Sequence, residues 1–138
     1  MKESDFWADK VKPRLPETCT YRLENGVARG MPDVNVSWSG RELWLELKVF
    51  KGNRIEVRFS QFKWLRNRIK HGLENTFIVA LHKEEIWTWH GRRILEHTTT
   101  ESRETEDSIV FVPPPPDCVV RLDLFNTTYL RDWLFGEV

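Results

Sequence analysis

The sequence predicts an α/β protein, with a small mixed β-sheet flanked by helices. Three observations carry this. Residues 31–50 alternate like two strands on either side of a Ser39-Gly40 turn. A helical period follows, with apolar Phe62, Leu65 and Ile69. Two more strand-like runs, 76–81 and 86–90, return after that helix, and a hairpin that resumes beyond a helix builds a mixed sheet. The 138 residues suggest one domain, long enough to bury a core. Residues 1–95 are expected to form that core. Residues 97–116 read as a flexible polar and proline-rich segment, and 117–138 as a C-terminal strand and helix.

Taken in order, Ser4 is expected to cap a short helix from Asp5 to about Lys12, with Phe6, Trp7 and Val11 inward and Pro13 as its stop. Residues 13–30 read as irregular or partly extended. Met31–Trp38 is a strand and Leu43–Phe50 a second, strongly apolar one. Residues 51–54 form a basic loop, followed by a short extended piece, 55–59. Ser60 caps a helix, Gln61–His71, with Gly72 at its end. Thr76–Leu81 is a third strand, 82–85 a turn and Ile86–His90 a fourth strand. Residues 97–108 are polar and expected to be loose. The four prolines at 113–116 form a stiff spacer. Cys118–Leu124 is a fifth strand, and Asn126 caps a last helix, 127–135.

Composition narrows the function classes. The chain is 40% hydrophobic and 30% charged, ordinary for a soluble globular protein. No apolar run approaches eighteen residues, so no membrane span is expected. The polar, mixed-charge start does not read as a signal peptide, and a cytoplasmic protein follows by default. Cys19 and Cys118 stand alone without metal-ligand spacing and read as reduced residues. His82, His90 and His97 do not converge by spacing and read as surface or strand-end residues.

Net charge is zero, but its distribution is uneven. Residues 41–70 hold nine Lys/Arg against three Glu, a local charge of +6, while acids collect in 101–107 and the tail. Segregated charge makes a basic face, and phosphate responds to the face rather than to the total. Lys51, Arg54, Arg58, Lys63, Arg66, Arg68 and Lys70 are the expected phosphate contacts, positioning nucleic acid without reading bases. A solvated basic helix face is the alternative.

The central hairpin carries charges where a core strand is usually apolar. Residues two apart on a strand share a face, so Trp44, Glu46 and Lys48 project together, while Leu45, Leu47 and Val49 point into the core. Trp44 is expected to wall whatever site forms there, and Trp64 to pack beside the sheet. Positions paired across the Ser39-Gly40 turn have numbers summing to about 79, as 33 and 46 do. Asp33 and Glu46 are therefore expected to be cross-strand neighbours, roughly 5 Å apart at Cβ. Two such carboxylates repel unless a cation neutralises them. Mg²⁺ takes one or two carboxylates and leaves its other positions to water and phosphate. A lysine two residues on can orient the attacking water or balance transition-state charge, which suits metal-assisted phosphodiester hydrolysis. A cross-strand salt bridge on a half-exposed face remains the alternative.

Pro32-Asp33, a hairpin, then Glu46-Leu47-Lys48 at the end of an apolar strand resembles the PD-(D/E)XK nuclease superfamily. The longer string is more specific. Arg22-Leu23-Glu24-Asn25, Gly30-Met31-Pro32-Asp33, Trp44-Leu45-Glu46-Leu47-Lys48 and Ser60-Gln61-Phe62-Lys63-Trp64, in that order, resemble the phage and VRR-NUC branch and its Holliday junction resolvase relatives. The resemblance covers residues 3 to about 90 and implies a restriction-endonuclease-like core. It implies that Asp33 and Glu46 hold the metal with the backbone carbonyl of Leu47, and that Lys48 positions or activates the water. Gln61 would reach a water on the metal or a phosphate. The family's first-helix acid would be Glu3, with Glu24 as runner-up.

The expected activity is a Mg²⁺-dependent DNA endonuclease, with Mn²⁺ able to substitute. A bare core without a recognition domain suits shape, such as branched or junction DNA. Two symmetric nicks need two sites, hence a homodimer, with the apolar tail (118–125 and 130–135) either as its surface or as closure of the monomer core. A phage-encoded protein acting in the host cytoplasm fits the resemblance. The rival readings are another nuclease of the same fold (nicking, restriction, homing or host-DNA-degrading) and a non-catalytic DNA-binding protein.

Overall fold

The computed structural model describes residues 1–15, 20–22, 30–38, 40–98, 103–104 and 107–129. The predicted hairpin organises it. Strands β2 (Val34–Trp38) and β3 (Arg41–Val49) pair antiparallel, Val34 with Leu45 and Trp38 with Arg41. Each pair sums to 79, so the predicted register is the observed one. Gly40, at φ +76°, supplies the positive φ that the tight turn needs. β2 begins at Val34 rather than Met31, because Pro32 brings no N–H to a ladder and Asp33 uses its side chain instead.

β3 then runs parallel to β5 (Thr76–His82), Glu46 beside Ile78 and Lys48 beside Ala80. Parallel neighbours require a crossover. It consists of β4 (Ile55–Arg58) and helix α2 (Phe59–Lys70). β1 (Thr20–Arg22) joins β2, and β6 (Glu85–His90) and β9 (Cys118–Arg121) extend the other side. Among the described residues six strands make one mixed sheet, in the order β1-β2-β3-β5-β6-β9.

The sheet is covered on both faces. On one, Leu43, Leu45, Leu47, Val34, Val36 and Val79 pack against Phe6, Trp7 and Val11 of the N-terminal helical segment, and against Leu122 and Phe125. That segment is α1 (Glu3–Phe6) followed by a wide helical turn, Trp7–Val11, and a tight one, Lys12–Arg14. The predicted inward residues are the buried ones. The helix starts at Glu3 and not after Ser4, since Asp5 Oδ2 accepts the Lys2 N–H at 3.3 Å. Pro13 enters the tight turn instead of stopping it, where a missing N–H costs little.

On the other face Ile78, Ala80 and Trp89 pack against Phe62 of α2, Ile94 of α3 (Gly91–His97), and Ile55, Val57, Ile109 and Phe111. The last four belong to a second small sheet in which β8 (Ser108–Phe111) pairs with β4 and with the two-residue β7 (Arg103–Glu104).

Several expectations are corrected here. α2 begins at Phe59, not Gln61. Arg58 holds the cap position, and Gln61 Oε1 accepts the Arg58 N–H at 2.9 Å, so Ser60 is not the cap. Helix α3 was not expected. It opens on glycine without a side-chain cap and spans seven residues, too short for a clear period. Within the segment expected to be flexible, Ser108, Ile109 and Phe111 are buried in a paired strand. Four residues between polar and proline stretches carry too little pattern to be noticed. The prolines dock: the Trp89 indole donates to the Pro114 carbonyl at 2.8 Å, and the His90 N–H to Asp117 Oδ2 at 2.8 Å. The fifth strand stops at Arg121, and Leu122–Leu124 is a tight turn. Leu122 and Phe125 close the monomer core, and of the apolar residues in that stretch only Val119 and Leu124 remain exposed. Asn126 caps α4 (Thr127–Tyr129) as expected. Cys19 and residues 130–135 lie outside the described residues, and no described helix is long and apolar enough to cross a membrane.

Candidate metal and catalytic site

β2 and β3 are antiparallel, so the start of β2 lies beside the carboxyl end of β3, which is also the carboxyl end of the parallel strand β5. Open α/β sheets bind their ligands outside that end. Asp33 stands there, one residue before β2. Its Oδ2 accepts the Leu47 N–H at 3.0 Å, which fixes the carboxylate beside Glu46. Glu3, on the first turn of α1, reaches the same place. One carboxylate oxygen from each of Glu3, Asp33 and Glu46 lies within 4.8 Å of the others.

Glu46 is 3% exposed, and no N–H or O–H donor reaches either of its oxygens within hydrogen-bond distance; the Asp33 carboxyl beside it is close enough to share a proton with it. A buried carboxylate that receives no hydrogen bond from a donor is costly as an anion. Burial accordingly raises the Glu46 carboxyl well above the usual range; nearby Lys48 opposes this, and Asp33 and Glu3 add to it. Burial also raises Glu3, with Lys48 pulling down and Asp33 pushing up.

Lys48 is buried among these acids. Its Nζ lies 3.8 Å from Glu46 and 3.9 Å from Glu3, and donates to Gln61 Oε1 at 2.9 Å. With all three carboxylates ionised, as a bound cation would favour, the four side chains would sum to −2, three carboxylates against the one Lys48 ammonium. A hard divalent cation with oxygen ligands fits that deficit and the two orphaned Glu46 oxygens. Asp33 and Glu46 are thus brought together as the hairpin register predicts, and Glu3, the acid that the resemblance implied, joins them. Glu24 lies outside the described residues.

No family model and no curated protein matches the chain. Among solved structures it is similar to a Holliday junction resolvase of the archaeal hyperthermophile Archaeoglobus fulgidus, with TM-score 0.44 and 13% identity over 67% of this chain and 68% of that one. It is also similar to a bacterial homing endonuclease, I-Ssp6803I, with TM-score 0.34 and 14% identity over 85% and 77%. With overlap of this extent, the chemistry of the site has to come from its own geometry.

Gln61 sits deeper in the network than expected. The same oxygen that receives Lys48 also receives the Arg58 N–H, so it ties the lysine to the start of α2. Gly30 was quoted only as part of a motif. At φ +86° it lies so close to α2 that an added Cβ would sit 2.1 Å from the Ser60 carbonyl oxygen. The loop leading to Asp33 is thereby seated on the turn that carries Gln61. An invitation to glycine beside Pro-Asp was in the sequence; what it packs against was not.

The seven cations do not behave alike. Lys51 and Arg58 are exposed, and both help lower the Glu3 carboxyl, so their charge is felt at the acidic cluster. Lys51 also pairs with Glu56 at 2.9 Å. Arg54 is half-buried across the same turn, bridged to Lys51. Lys63, Arg66 and Lys70 are exposed at helical spacing on α2. Arg68 instead lies over the Trp64 ring, 4.9 Å from its centroid, and donates to Asn75 at 3.2 Å. Trp44 shares the Glu46 face, but its ring packs edge-on to Trp64, 5.8 Å away.

Proposed function

We propose that the chain is a metal-dependent endonuclease of PD-(D/E)XK type that hydrolyses phosphodiester bonds in DNA, with Mg²⁺ as cofactor and Mn²⁺ able to replace it. The observation that carries this is Glu46, a buried carboxylate that no N–H or O–H donor reaches within hydrogen-bond distance, set between two further carboxylates and a lysine.

Asp33, Glu46 and Glu3 would hold the ion. The N–H and C=O of one strand residue point to the same edge. The Leu47 N–H reaches Asp33, which supports its carbonyl as a further ligand. When bound, the ion supplies positive charge to a phosphate and lowers the pKa of water.

The rest belongs to the chain itself. Lys48 carries the ammonium that orients the attacking water and offsets charge building on the phosphate. Gln61 keeps that ammonium in place. The buried walls around Glu46 exclude bulk water and strengthen every charge inside. Lys51, Arg54, Arg58, Lys63, Arg66 and Lys70 serve as phosphate contacts along the strand.

With one acidic cluster among the described residues and a basic face that contacts phosphates without reading bases, shape is the favoured recognition signal, branched or junction DNA in particular. Paired nicks would then need a homodimer. The test is a labelled four-way junction and a matched linear duplex, each with Mg²⁺ and with EDTA. Symmetric, Mg²⁺-dependent nicks confined to the junction are expected. Equal cutting of the duplex removes the junction preference and keeps the nuclease. DNA binding without product under any divalent ion overturns the enzymatic reading.

A further inference from the structure

We propose that Phe50, His82 and Trp87 form a stacking platform for an unpaired nucleobase beside Lys48. The inference rests on the nuclease reading above and specifies its substrate: DNA with at least one base outside the duplex stack.

Register sets the arrangement. Phe50 lies two residues past Lys48, just beyond β3, and packs with Trp87 against the Ile78, Ala80 and Trp89 face of the sheet. Lys48 is beside Ala80 on β5, and Ala80 pairs with Trp87 on β6. His82, two residues past Ala80, shares that face as well. One face therefore carries the row Lys48, Ala80, Trp87, with Phe50 and His82 one pleat farther toward the strand ends. Strands lie about 4.8 Å apart and same-face residues about 6.6 Å apart, so the platform begins within roughly 10 Å of Lys48 along the sheet.

The rings form one contiguous group. His82 and Trp87 have centroids 4.3 Å apart, Phe50 and His82 5.3 Å, and Phe50 and Trp87 5.7 Å. All three are half-buried, while Trp89, fully buried, backs them at 6.0 Å from Trp87. The Trp87 indole N–H is already taken by Glu85 at 3.3 Å, so what Trp87 offers a ligand is its ring.

Charge around the platform suits a nucleic-acid strand. Exposed Lys51 follows Phe50, and exposed Lys83 follows His82. The exposed Lys51–Glu56 pair is of the weak kind that a phosphate can displace. The nearby acids are Glu56, paired with Lys51, and Glu84 and Glu85, the latter engaged with Trp87. Inside a duplex both faces of each base are covered by its neighbours. A base at a flap, a branch point or a single strand offers its face, and aromatic rings take any base that way.

The test places 2-aminopurine at an unpaired flap position or at an internal duplex position and measures binding without Mg²⁺; cleavage is assayed separately with it. Wild type is expected to quench the unpaired probe and to bind flap DNA more tightly than duplex. Trp87→Ala and Phe50→Ala are expected to lose roughly tenfold in flap affinity, with duplex affinity unchanged. Trp87→Phe should keep most of the preference. An unchanged flap-to-duplex ratio in Trp87→Ala overturns the platform, as does an equal fall in both affinities together with a lower melting temperature. Wild type that prefers the flap but cuts nothing refutes the nuclease and leaves the platform standing. Normal cutting with no effect of the ring variants on flap preference does the reverse.

Discussion

The Lys48 ammonium and the side-chain oxygen of Gln61 meet at 2.9 Å, and that oxygen also accepts the backbone N–H of Arg58. One acceptor thus links the charged end of β3 to the first turn of α2. A lysine has four rotatable bonds and needs such a partner to keep one geometry among three carboxylates.

Gln61→Ala should therefore lower kcat with little effect on KM. A misplacement of about 1 Å costs on the order of a hundredfold. Gln61→Glu keeps an acceptor and should recover much of the rate. Single-turnover kinetics on both variants is the check, with melting temperatures to show that α2 remains folded. Equal loss in the two variants would mean the acceptor has no such role.

Glu46 makes a pH prediction. Its carboxyl is raised in the folded, metal-free protein by burial. The folded state then holds this proton more tightly than the unfolded chain, whose glutamates titrate near roughly 4.3. The corresponding stability is complete below that value and is lost as pH rises through the raised folded value. Metal-free wild type should lose thermal stability over that range, and Glu46→Gln should lose less. Mg²⁺, which favours the carboxylate, should stabilise wild type most at high pH and Glu46→Gln little. Melting curves against pH, with and without Mg²⁺, decide it; identical slopes for the two proteins would contradict the assignment. Glu46→Gln should also abolish cleavage while keeping DNA binding.

Gly30→Ala should be more damaging than Gly40→Ala. Both glycines have positive φ, which any other residue adopts with strain. At Gly40 an added Cβ meets nothing within 4 Å, while at Gly30 it meets the Ser60 carbonyl group. Gly40→Ala is expected to cost about 1 kcal/mol. Gly30→Ala should cost more and, by moving the Asp33 loop off α2, weaken Mg²⁺ binding as well. Urea titrations and Mg²⁺ titrations of both variants measure the contrast.

Arg66 and Arg68 separate binding from packing. Arg66 is exposed on α2, whereas Arg68 stacks on Trp64. Arg66→Ala should weaken DNA binding and reduce the salt slope by about one unit, without changing stability. Arg68→Ala should lower the melting temperature and leave the salt slope close to wild type. Binding isotherms across a salt series distinguish the two, and a matching drop in slope for Arg68→Ala would return it to the phosphate contacts.

Much of this was legible before any coordinates. Alternation about a two-residue turn predicted the register of β2 and β3, and with it the approach of Asp33 to Glu46. The same period of two put Glu46 and Lys48 on one face and Leu45 and Leu47 on the other. Such inferences succeed because they depend on neighbours along the chain and across one hairpin. Short elements fared worse. α3 and β8 span seven and four residues, and their place is decided by burial against α2 and β4 rather than by their own pattern.

The sequence by itself determined the chemistry on the central hairpin, two acids and a lysine at spacings that a rigid ladder turns into neighbours. Tertiary structure decided which distant groups complete it. Glu3 reaches the cluster only because α1 packs on the β3 sheet. Gln61 meets Lys48, and Gly30 meets Ser60, only because the crossover brings α2 back over the strand ends. Phe50 joins His82 and Trp87, neighbours across the β5–β6 hairpin, only through the parallel pairing of β3 with β5. Strand order and crossover bring these groups together across long stretches of chain, and no local period records them.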